Sequence, residues 1–232
     1  MKYMGSKNRH AKEILPIILK DRKPGQFYVE PFVGGFNIID KVDGNRIAND
    51  KHYYLIELFR AVQKGCELPK VVFEETYNDC RVNKSHYPPF LVGFIGFGCS
   101  YSGKWFGGYA RGNDSNGNQR NYANESRKNI MNQAKSIQGM DVFNCDYDDF
   151  NIPPNSIIYC DPPYENTTSY KDKFNHHKFW SWCRIMKSEG HTIFVSEYDA
   201  PEDFICVWEK KVNNTLVKNT GSKQGTEKLF TL

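Results

Sequence analysis

Residues 26–35 read QFYVEPFVGG, an apolar segment that ends in a carboxylate and runs into a pair of glycines. The alternation over 26–30 predicts a short strand, and residues 31–37 predict the loop that follows it. Glycines at such a turn let the backbone approach a bound ligand closely. The stretch therefore predicts a strand and a ligand-binding loop at the start of an α/β fold.

The next residues extend this pattern along the chain. Residues 38–42 predict a helix opened by the glycine loop, and residues 46–48 predict a second strand that ends at Asn49-Asp50. A helical pattern then covers 53–64. The order of strand, glycine turn, helix, strand and acid predicts the first half of a Rossmann-like unit.

The α/β pattern returns in the second half of the chain. Buried strands are predicted at 142–145, 156–160 and 191–195, with a helix at 176–187. Weaker strand patterns, which predict an antiparallel edge, lie at 204–208, 215–218 and 228–232. Near the N-terminus, residues 11–20 predict a helix interrupted by Pro16.

A change of composition separates the two halves. Between residues 88 and 127, glycines alternate with aromatic side chains and no helical or strand period persists. This predicts an irregular insertion or small subdomain that stands off the core. We therefore expect a catalytic domain formed by 1–60 and 138–232, with an inserted target-recognition region at 61–137.

Composition limits the classes of function. The 232 residues carry a net charge of +4, which is compatible with a nucleic-acid partner but does not require one. Seven cysteines, none in a CxxC pair, indicate neither a disulfide framework nor a zinc site, and we expect no metal. No apolar run approaches the ~20 residues that span a bilayer, so we expect a cytoplasmic protein without a membrane segment.

The sharpest chemical motif is residues 157–164, IIYCDPPY, an apolar strand that runs directly into Asp161-Pro162-Pro163-Tyr164. An amine on an aromatic ring is a poor nucleophile, so its N–H bonds need acceptors such as a carboxylate and a backbone carbonyl. The prolines fix φ and stiffen the turn, and Tyr164 offers a face for a base rotated out of a duplex. The motif predicts methylation of such amines, whether adenine N6 or cytosine N4.

Four predicted strands end at acidic residues, namely Glu30, Asp50, Asp146 and Asp161. Ligands of open α/β sheets bind at the carboxyl ends of the strands, and a carboxylate about twenty residues after the glycine loop can hold ribose hydroxyls. Asp146, followed by Tyr147, suits the amino group and the face of a purine. These acids predict a nucleoside-containing ligand at one edge of the sheet.

The motifs and their order resemble the Dam-like (D12 class) N6-adenine DNA methyltransferase family, especially small phage or prophage members. They are residues 2–7, 30–35, 49–50, 146–147, 159–164, 195–198 and 227–230. The resemblance implies an α/β, Rossmann-like class I methyltransferase fold, with a mixed, mostly parallel sheet, an antiparallel edge and an inserted DNA-recognition subdomain. It also implies direct methyl transfer from S-adenosylmethionine to the N6 amine of a flipped-out adenine in double-stranded DNA. We expect a monomer, but the sequence does not determine the oligomeric state.

The resemblance assigns roles to particular residues. The catalytic set is Asp161, Pro162, Pro163 and Tyr164. The cofactor would contact Tyr3, Lys7, Glu30, Phe32, Gly34, Gly35, Asp50, Asp146, Tyr147 and Asp161. DNA would contact Lys104, Tyr109, Arg111, Arg120, Tyr122 and Arg127. Phe36 stands where many members have glycine, which predicts a tighter or differently turned loop.

Other activities share some of these features. They are cytosine-N4 methylation of DNA, methylation of an RNA base or of a protein glutamine amide, and a catalytically silent DNA-binding protein of the same fold. Asn in place of Asp161 would favour the protein substrate. The aromatic and arginine-rich insertion favours a polynucleotide, and the intact 161–164 motif favours an active enzyme.

Overall fold

The computed structural model describes residues 1–165, 174–213 and 224–232. The strands within these ranges are β1 Tyr28–Glu30, β2 Arg46–Asn49, β3 Asp141–Phe143, β4 Ile157–Cys160, β5 Thr192–Glu197, β6 Ile205–Asn213 and β7 Gln224–Thr231. The α-helices are α1 Ala11–Ile18, α2 Tyr53–Gln63, α3 Glu74–Val82, α4 Pro89–Gly93, α5 Tyr122–Ser136 and α6 His176–Ser188. The predicted strand at 215–218 lies outside the described residues.

The strands form one seven-stranded sheet in the order β3-β2-β1-β4-β5-β7-β6. The first five strands of this order are parallel, whereas β7 is antiparallel to both β5 and β6. The predicted α/β fold, mostly parallel with an antiparallel edge, is therefore confirmed. The connections reverse direction between β1 and β4, which creates a crevice at the carboxyl ends of these strands.

Both faces of the sheet are covered, as the apolar sequences of β1 and β4 require. Tyr28 and Tyr159 pack into a hydrophobic core with α1, α2 and α5. Val29, the residue after Tyr28, and Ile158, the residue before Tyr159, pack with α6 on the opposite face of the sheet. This alternation fixes which side chains point to each layer, because successive residues of a strand face opposite sides.

Two local predictions near the N-terminus are wrong. Residues 38–42 form only a 3₁₀ turn, Ile39–Lys41, since Lys41 and Val42 donate to carbonyls three residues back and the chain becomes extended at Val42. Pro16 does not interrupt α1, which continues to Ile18. Pro16 lies on the exposed face of the helix, where water can satisfy the carbonyl that its missing N–H leaves unbonded.

The inserted region is more regular than the sequence predicts. Within 88–127 the chain forms α4, a π-helical turn at Phe94–Gly98 and the start of α5. Some of its glycines serve helix packing, since a Cβ at Gly93 would lie 2.0 Å from the carbonyl oxygen of Tyr54 on α2. Phe94 and its neighbours join the core beside α2, so the expectation of a segment standing off the core is wrong for these residues.

Candidate active site

A partly buried cluster of charged side chains lies at the carboxyl end of β4, with Lys7 buried at its centre. The ammonium group of Lys7 is 3.1 Å from Asp161 Oδ1 and 3.5 Å from Glu227 Oε2, and it donates to the carbonyl of Gly5 at 3.3 Å. Burial alone would lower the pKa of Lys7, but the two carboxylates raise it above its usual value. Burial raises the pKa of Asp161, and the charge of Lys7 opposes that rise.

The ring of Tyr164 is held by groups from three parts of the chain. Its hydroxyl donates to Glu227 Oε2 at 2.8 Å, and Lys7 Nζ lies 4.3 Å from the ring centroid. Tyr198, just after β5, meets it edge-on with 4.7 Å between centroids. Burial raises the pKa of Tyr164 well above its usual value, so its hydroxyl stays protonated and can donate.

Glu197, the last residue of β5, holds the exit of the 161–164 turn. Its Oε2 accepts from the backbone N–H of Glu165 at 3.2 Å, and its Oε1 accepts from that of Tyr198 at 2.8 Å. The side chain is buried, and this burial raises its pKa to about 7 despite the two hydrogen bonds. Glu197 and Glu227 lay within the family-like segments, but sequence reasoning assigned neither residue a role in the site.

The glycine loop is joined to the second predicted ligand carboxylate. The N–H of Gly34 donates to Asp50 Oδ2 and the N–H of His52 donates to Asp50 Oδ1, both at 2.9 Å. Burial raises the pKa of Asp50, and these two bonds counteract it. Each Asp50 oxygen keeps a second lone pair, so the carboxylate can still accept from a hydroxyl group.

The same loop forms a cradle against the N-terminal segment. A Cβ at Gly34 would lie 2.8 Å from Tyr3 Cε1, and one at Gly35 would lie 2.5 Å from Asn37 Nδ2. Gly34 also has a positive φ of 48°. Only glycine fits this backbone, which is the arrangement that close approach of a ligand requires.

Asn49 is a third residue whose role the sequence did not reveal. Its amide donates to the carbonyls of Pro31 and Cys145, each at 3.1 Å, and its Oδ1 accepts from the N–H of Cys145 at 3.1 Å. The side chain is fully buried. It therefore links the loops that follow β1 and β3 to the end of β2, and this fixes the edge of the crevice.

The predicted purine-binding residues come together at that edge. The ring of Tyr147 lies 5.2 Å from that of Phe32, centroid to centroid. Asp146 accepts from the Tyr147 N–H at 2.9 Å and pairs with Lys51 at 2.8 Å. Burial would raise the pKa of Asp146, but these two partners bring it below its usual value. Among the described residues, the buried hydroxyl of Tyr147 has no hydrogen-bond partner.

Glu30 and Phe36 lie beneath the loop in the core. Glu30 is buried and accepts from the hydroxyl of Tyr28 at 2.8 Å, and burial raises its pKa well above the usual range. Phe36 is fully buried, has a φ of 58° and stacks on Phe59 with 3.8 Å between ring centroids. The turn after Gly35 therefore adopts the left-handed conformation that glycine favours, although a phenylalanine occupies it.

The predicted DNA-contacting side chains are largely engaged within the chain. Arg111 pairs with Glu74, Arg120 with Glu125, and Arg127 with Glu67 and the carbonyl of Leu68. The hydroxyl of Tyr109 donates to the carbonyl of Val72 at 2.7 Å, and Arg120 lies over the ring of Tyr122 at 4.5 Å. Lys104 is exposed. Their role in binding DNA stays a prediction.

Two further features of the described ranges concern metal binding and membrane insertion. Within 1–165, 174–213 and 224–232, no three His, Cys, Asp or Glu side chains are grouped so that they could hold a metal ion. No helix in those ranges is both long and apolar enough to span a bilayer.

A strand-end carboxylate followed by two prolines and a half-buried tyrosine, beside a glycine loop bonded to a second strand-end carboxylate, is the arrangement expected of an amine methyltransferase. The chain matches the sequence model of the D12 class N6 adenine-specific DNA methyltransferase family over residues 3–87 and 106–219, and it belongs to that family. The resemblance described from the sequence is thus confirmed.

Two curated relatives are named as a modification methylase and a type II methyltransferase. The chain is 26% identical to "Modification methylase StsI" of Streptococcus sanguinis over 222 residues, which cover 85% of this chain and 33% of that protein. It is 25% identical to "Type II methyltransferase M.FokI" of Planomicrobium okeanokoites over 212 residues, which cover 81% of this chain and 32% of that protein. The chain spans about a third of the length of each of these relatives.

Proposed function

We propose that this protein transfers a methyl group from S-adenosylmethionine to the N6 amine of adenine in double-stranded DNA. The observation that carries the proposal is the position of Asp161, whose half-buried carboxylate is paired with Lys7 at the end of β4. The neighbouring strand, β1, leads into the glycine loop, where the N–H of Gly34 donates to Asp50. Family membership supports the same reaction.

The residues of the crevice have the donors and acceptors that the cofactor needs. Asp50 would accept from the ribose hydroxyls, and Gly34 and Gly35 would allow close approach of the backbone. Phe32 and Tyr147 would cover the adenine ring, with Asp146 accepting from its amino group. When bound, S-adenosylmethionine supplies a methyl group already activated by a positively charged sulfur.

Asp161 and the carbonyl of Pro162 would act on the acceptor amine. As the N6 nitrogen bonds the methyl carbon, the methyl–sulfur bond breaks and the nitrogen becomes positively charged and must lose one proton. A carboxylate and a carbonyl that accept its N–H groups stabilise that charge. Asp161 can take the proton because burial raises its pKa, while Lys7 fixes the orientation of the carboxylate.

Tyr164 and the inserted region would act on the DNA. The ring of Tyr164 would stack on a base rotated out of the duplex. Region 61–137 would contact the surrounding duplex through the predicted set, which is Lys104, Tyr109, Arg111, Arg120, Tyr122 and Arg127. All three arginines of this set are paired with glutamates of the same chain. On binding DNA, each arginine would therefore exchange a carboxylate partner for a phosphate.

The test is an assay of transfer to DNA. Purified protein is incubated with unmethylated DNA and S-adenosylmethionine labelled in the methyl group, and the DNA is digested to nucleosides. We expect the label in N6-methyl-2′-deoxyadenosine. Label in N4-methyl-2′-deoxycytidine would overturn the choice of acceptor. In a parallel incubation with RNA, label in RNA but not in DNA would overturn the choice of polymer.

A matched pair of variants tests the role of the carboxylate. Asp161→Asn keeps the shape of the side chain but removes the charge, and we expect the rate to fall by about 10²–10³-fold. Asp203→Asn makes the same change at an exposed ion pair with Arg184 and should leave the rate unchanged. Equal activity of the two variants would contradict the assignment of Asp161.

A further inference from the structure

The back of the cofactor loop is held by one side chain of the inserted region. Gln133, on α5, places its Nε2 3.2 Å from the carbonyl oxygens of Gly35 and Phe36. The same atom is 3.1 Å from Asn37 Oδ1 and 3.0 Å from Asp40 Oδ2. The side chain is buried, so these contacts are shielded from water.

Every neighbour of that nitrogen is a hydrogen-bond acceptor. Two loop carbonyls, an amide oxygen and a carboxylate surround it, so only a donor is tolerated at this point. The other end of the side chain is also occupied, since the amino group of Met1 donates to Gln133 Oε1. The Gln133 amide is therefore fixed in orientation as well as in place.

The loop is consequently fixed from both sides. On the front, the N–H of Gly34 donates to Asp50 and the glycines pack against Tyr3. On the back, Gln133 holds the carbonyls of the next two residues. Fixing a binding loop in its bound shape raises affinity because less ordering is left to occur on binding.

We propose that Gln133 is a positioning residue that holds the 34–37 loop in the shape that binds S-adenosylmethionine. The inference rests on the proposed cofactor and goes beyond it, because it assigns a role in cofactor binding to the region predicted to recognise the target. The helix that bears Gln133 also bears Tyr122 and Arg127 of the predicted DNA-contacting set. Helix α5 thus connects the 34–37 loop to the predicted DNA-contacting residues.

The test compares three substitutions at this residue. Gln133→Met keeps the length but removes the donor, and Gln133→Glu replaces the donor with an acceptor. Gln133→Lys restores a donor facing the same four acceptors. We expect the dissociation constant for S-adenosylmethionine, measured by calorimetry without DNA, to rise about tenfold for methionine and further for glutamate, with recovery for lysine. Gln138→Met, at an exposed residue just after α5 whose amide donates to the carbonyl of Ala134, is the matched control.

Kinetics separate positioning from general damage. For Gln133→Met we expect KM for S-adenosylmethionine to rise about tenfold, with kcat at saturating cofactor and affinity for DNA each within about twofold of wild type. Amide hydrogen exchange should accelerate at 34–37 and not in β4. Unchanged affinity for the cofactor would overturn the proposal, as would a parallel loss of kcat and DNA binding.

Two further outcomes have defined meanings. If Gln133→Met does not fold, Gln133→Lys still decides the question, because a folded lysine variant with cofactor affinity no better than that of the glutamate variant contradicts a donor role. If wild-type protein fails to bind S-adenosylmethionine, the proposed cofactor itself is overturned. Binding by wild type with no change in Gln133→Met overturns only the role of Gln133.

Discussion

Two opposing energies act at Phe36, the strain of its backbone and the burial of its ring, and substitutions can separate them. Its backbone has a φ of 58°, a left-handed conformation that is unfavourable for any residue with a Cβ. Its ring is fully buried and stacks on Phe59, which itself lies within α2. Burial must outweigh the backbone strain, because the strain is worth about 1–2 kcal/mol whereas a buried phenylalanine ring contributes about 3–5 kcal/mol.

These magnitudes predict an unusual order of stability. Phe36→Ala loses the ring and keeps the strain, so the free energy of unfolding should fall by about 4 kcal/mol. Phe36→Gly loses the same ring but relieves the strain, so it should be about 1 kcal/mol more stable than the alanine variant. Glycine is ordinarily the less stable of the two.

The control is the same pair of substitutions at Phe59. That residue is equally buried but has helical neighbours on both sides, so Phe59→Gly should be about 1 kcal/mol less stable than Phe59→Ala. The measurement is urea unfolding followed by circular dichroism for all four variants. If the alanine variant at Phe36 equals or exceeds the glycine variant in stability, the account of this turn is refuted.

Two further predictions concern titration. Lys7→Met removes the cation that opposes the rise in the pKa of Asp161, so that pKa should rise further and the pH–rate profile should move to higher pH; an unmoved profile would contradict this. Burial lowers the pKa of His52 to about 4 from 6.5, so the unfolded state binds more protons between these values. Stability should be full above pH 6.5 and fall by up to about 3 kcal/mol as pH drops towards 4. His52→Asn, which keeps a side-chain acceptor at the start of α2, should lack that part of the decline in urea titrations at each pH, and an equal decline would exclude His52 as its source.

The parallel part of the fold could be predicted because its signals are local. Each of β1, β2 and β4 is a short apolar segment that ends in or just before a polar or acidic residue, and parallel strands bring those ends to one edge. The juxtaposition of the Gly34 loop with Asp50 followed from this rule alone.

The sequence did not predict the helices of the inserted region, because some of their glycines allow close helix packing instead of forming turns. Glycine normally indicates a turn, but Gly93 and Gly98 lie in helical backbone that packs against other helices. The missing side chain at Gly93 lets α4 approach the backbone of α2. Only the partner helix explains such a glycine, and a local pattern does not contain that partner.

Glu197 and Glu227 were missed for a reason of topology. Glu197 ends β5, which is parallel to β4, whereas Glu227 lies on β7, which pairs antiparallel with β5 only because the chain returns across the sheet. The register that places Glu197 opposite Lys228 brings the neighbouring Glu227 to the same end of the sheet as Asp161. Nothing in the spacing of these residues along the sequence encodes that register.

Residues far apart in the sequence thus set the charge of the proposed catalytic pocket. Lys7 supplies one ammonium group between two carboxylates, those of Asp161 and Glu227, so the partly buried cluster has an excess of negative charge. A neutral amine gains little from such surroundings, whereas a nitrogen that has begun to bond a methyl carbon is positively charged and gains much more. Lys7 limits the electrostatic cost of burying two carboxylates together without cancelling their field. The pocket proposed here is therefore complementary to the charge that develops during transfer rather than to the adenine that first enters it.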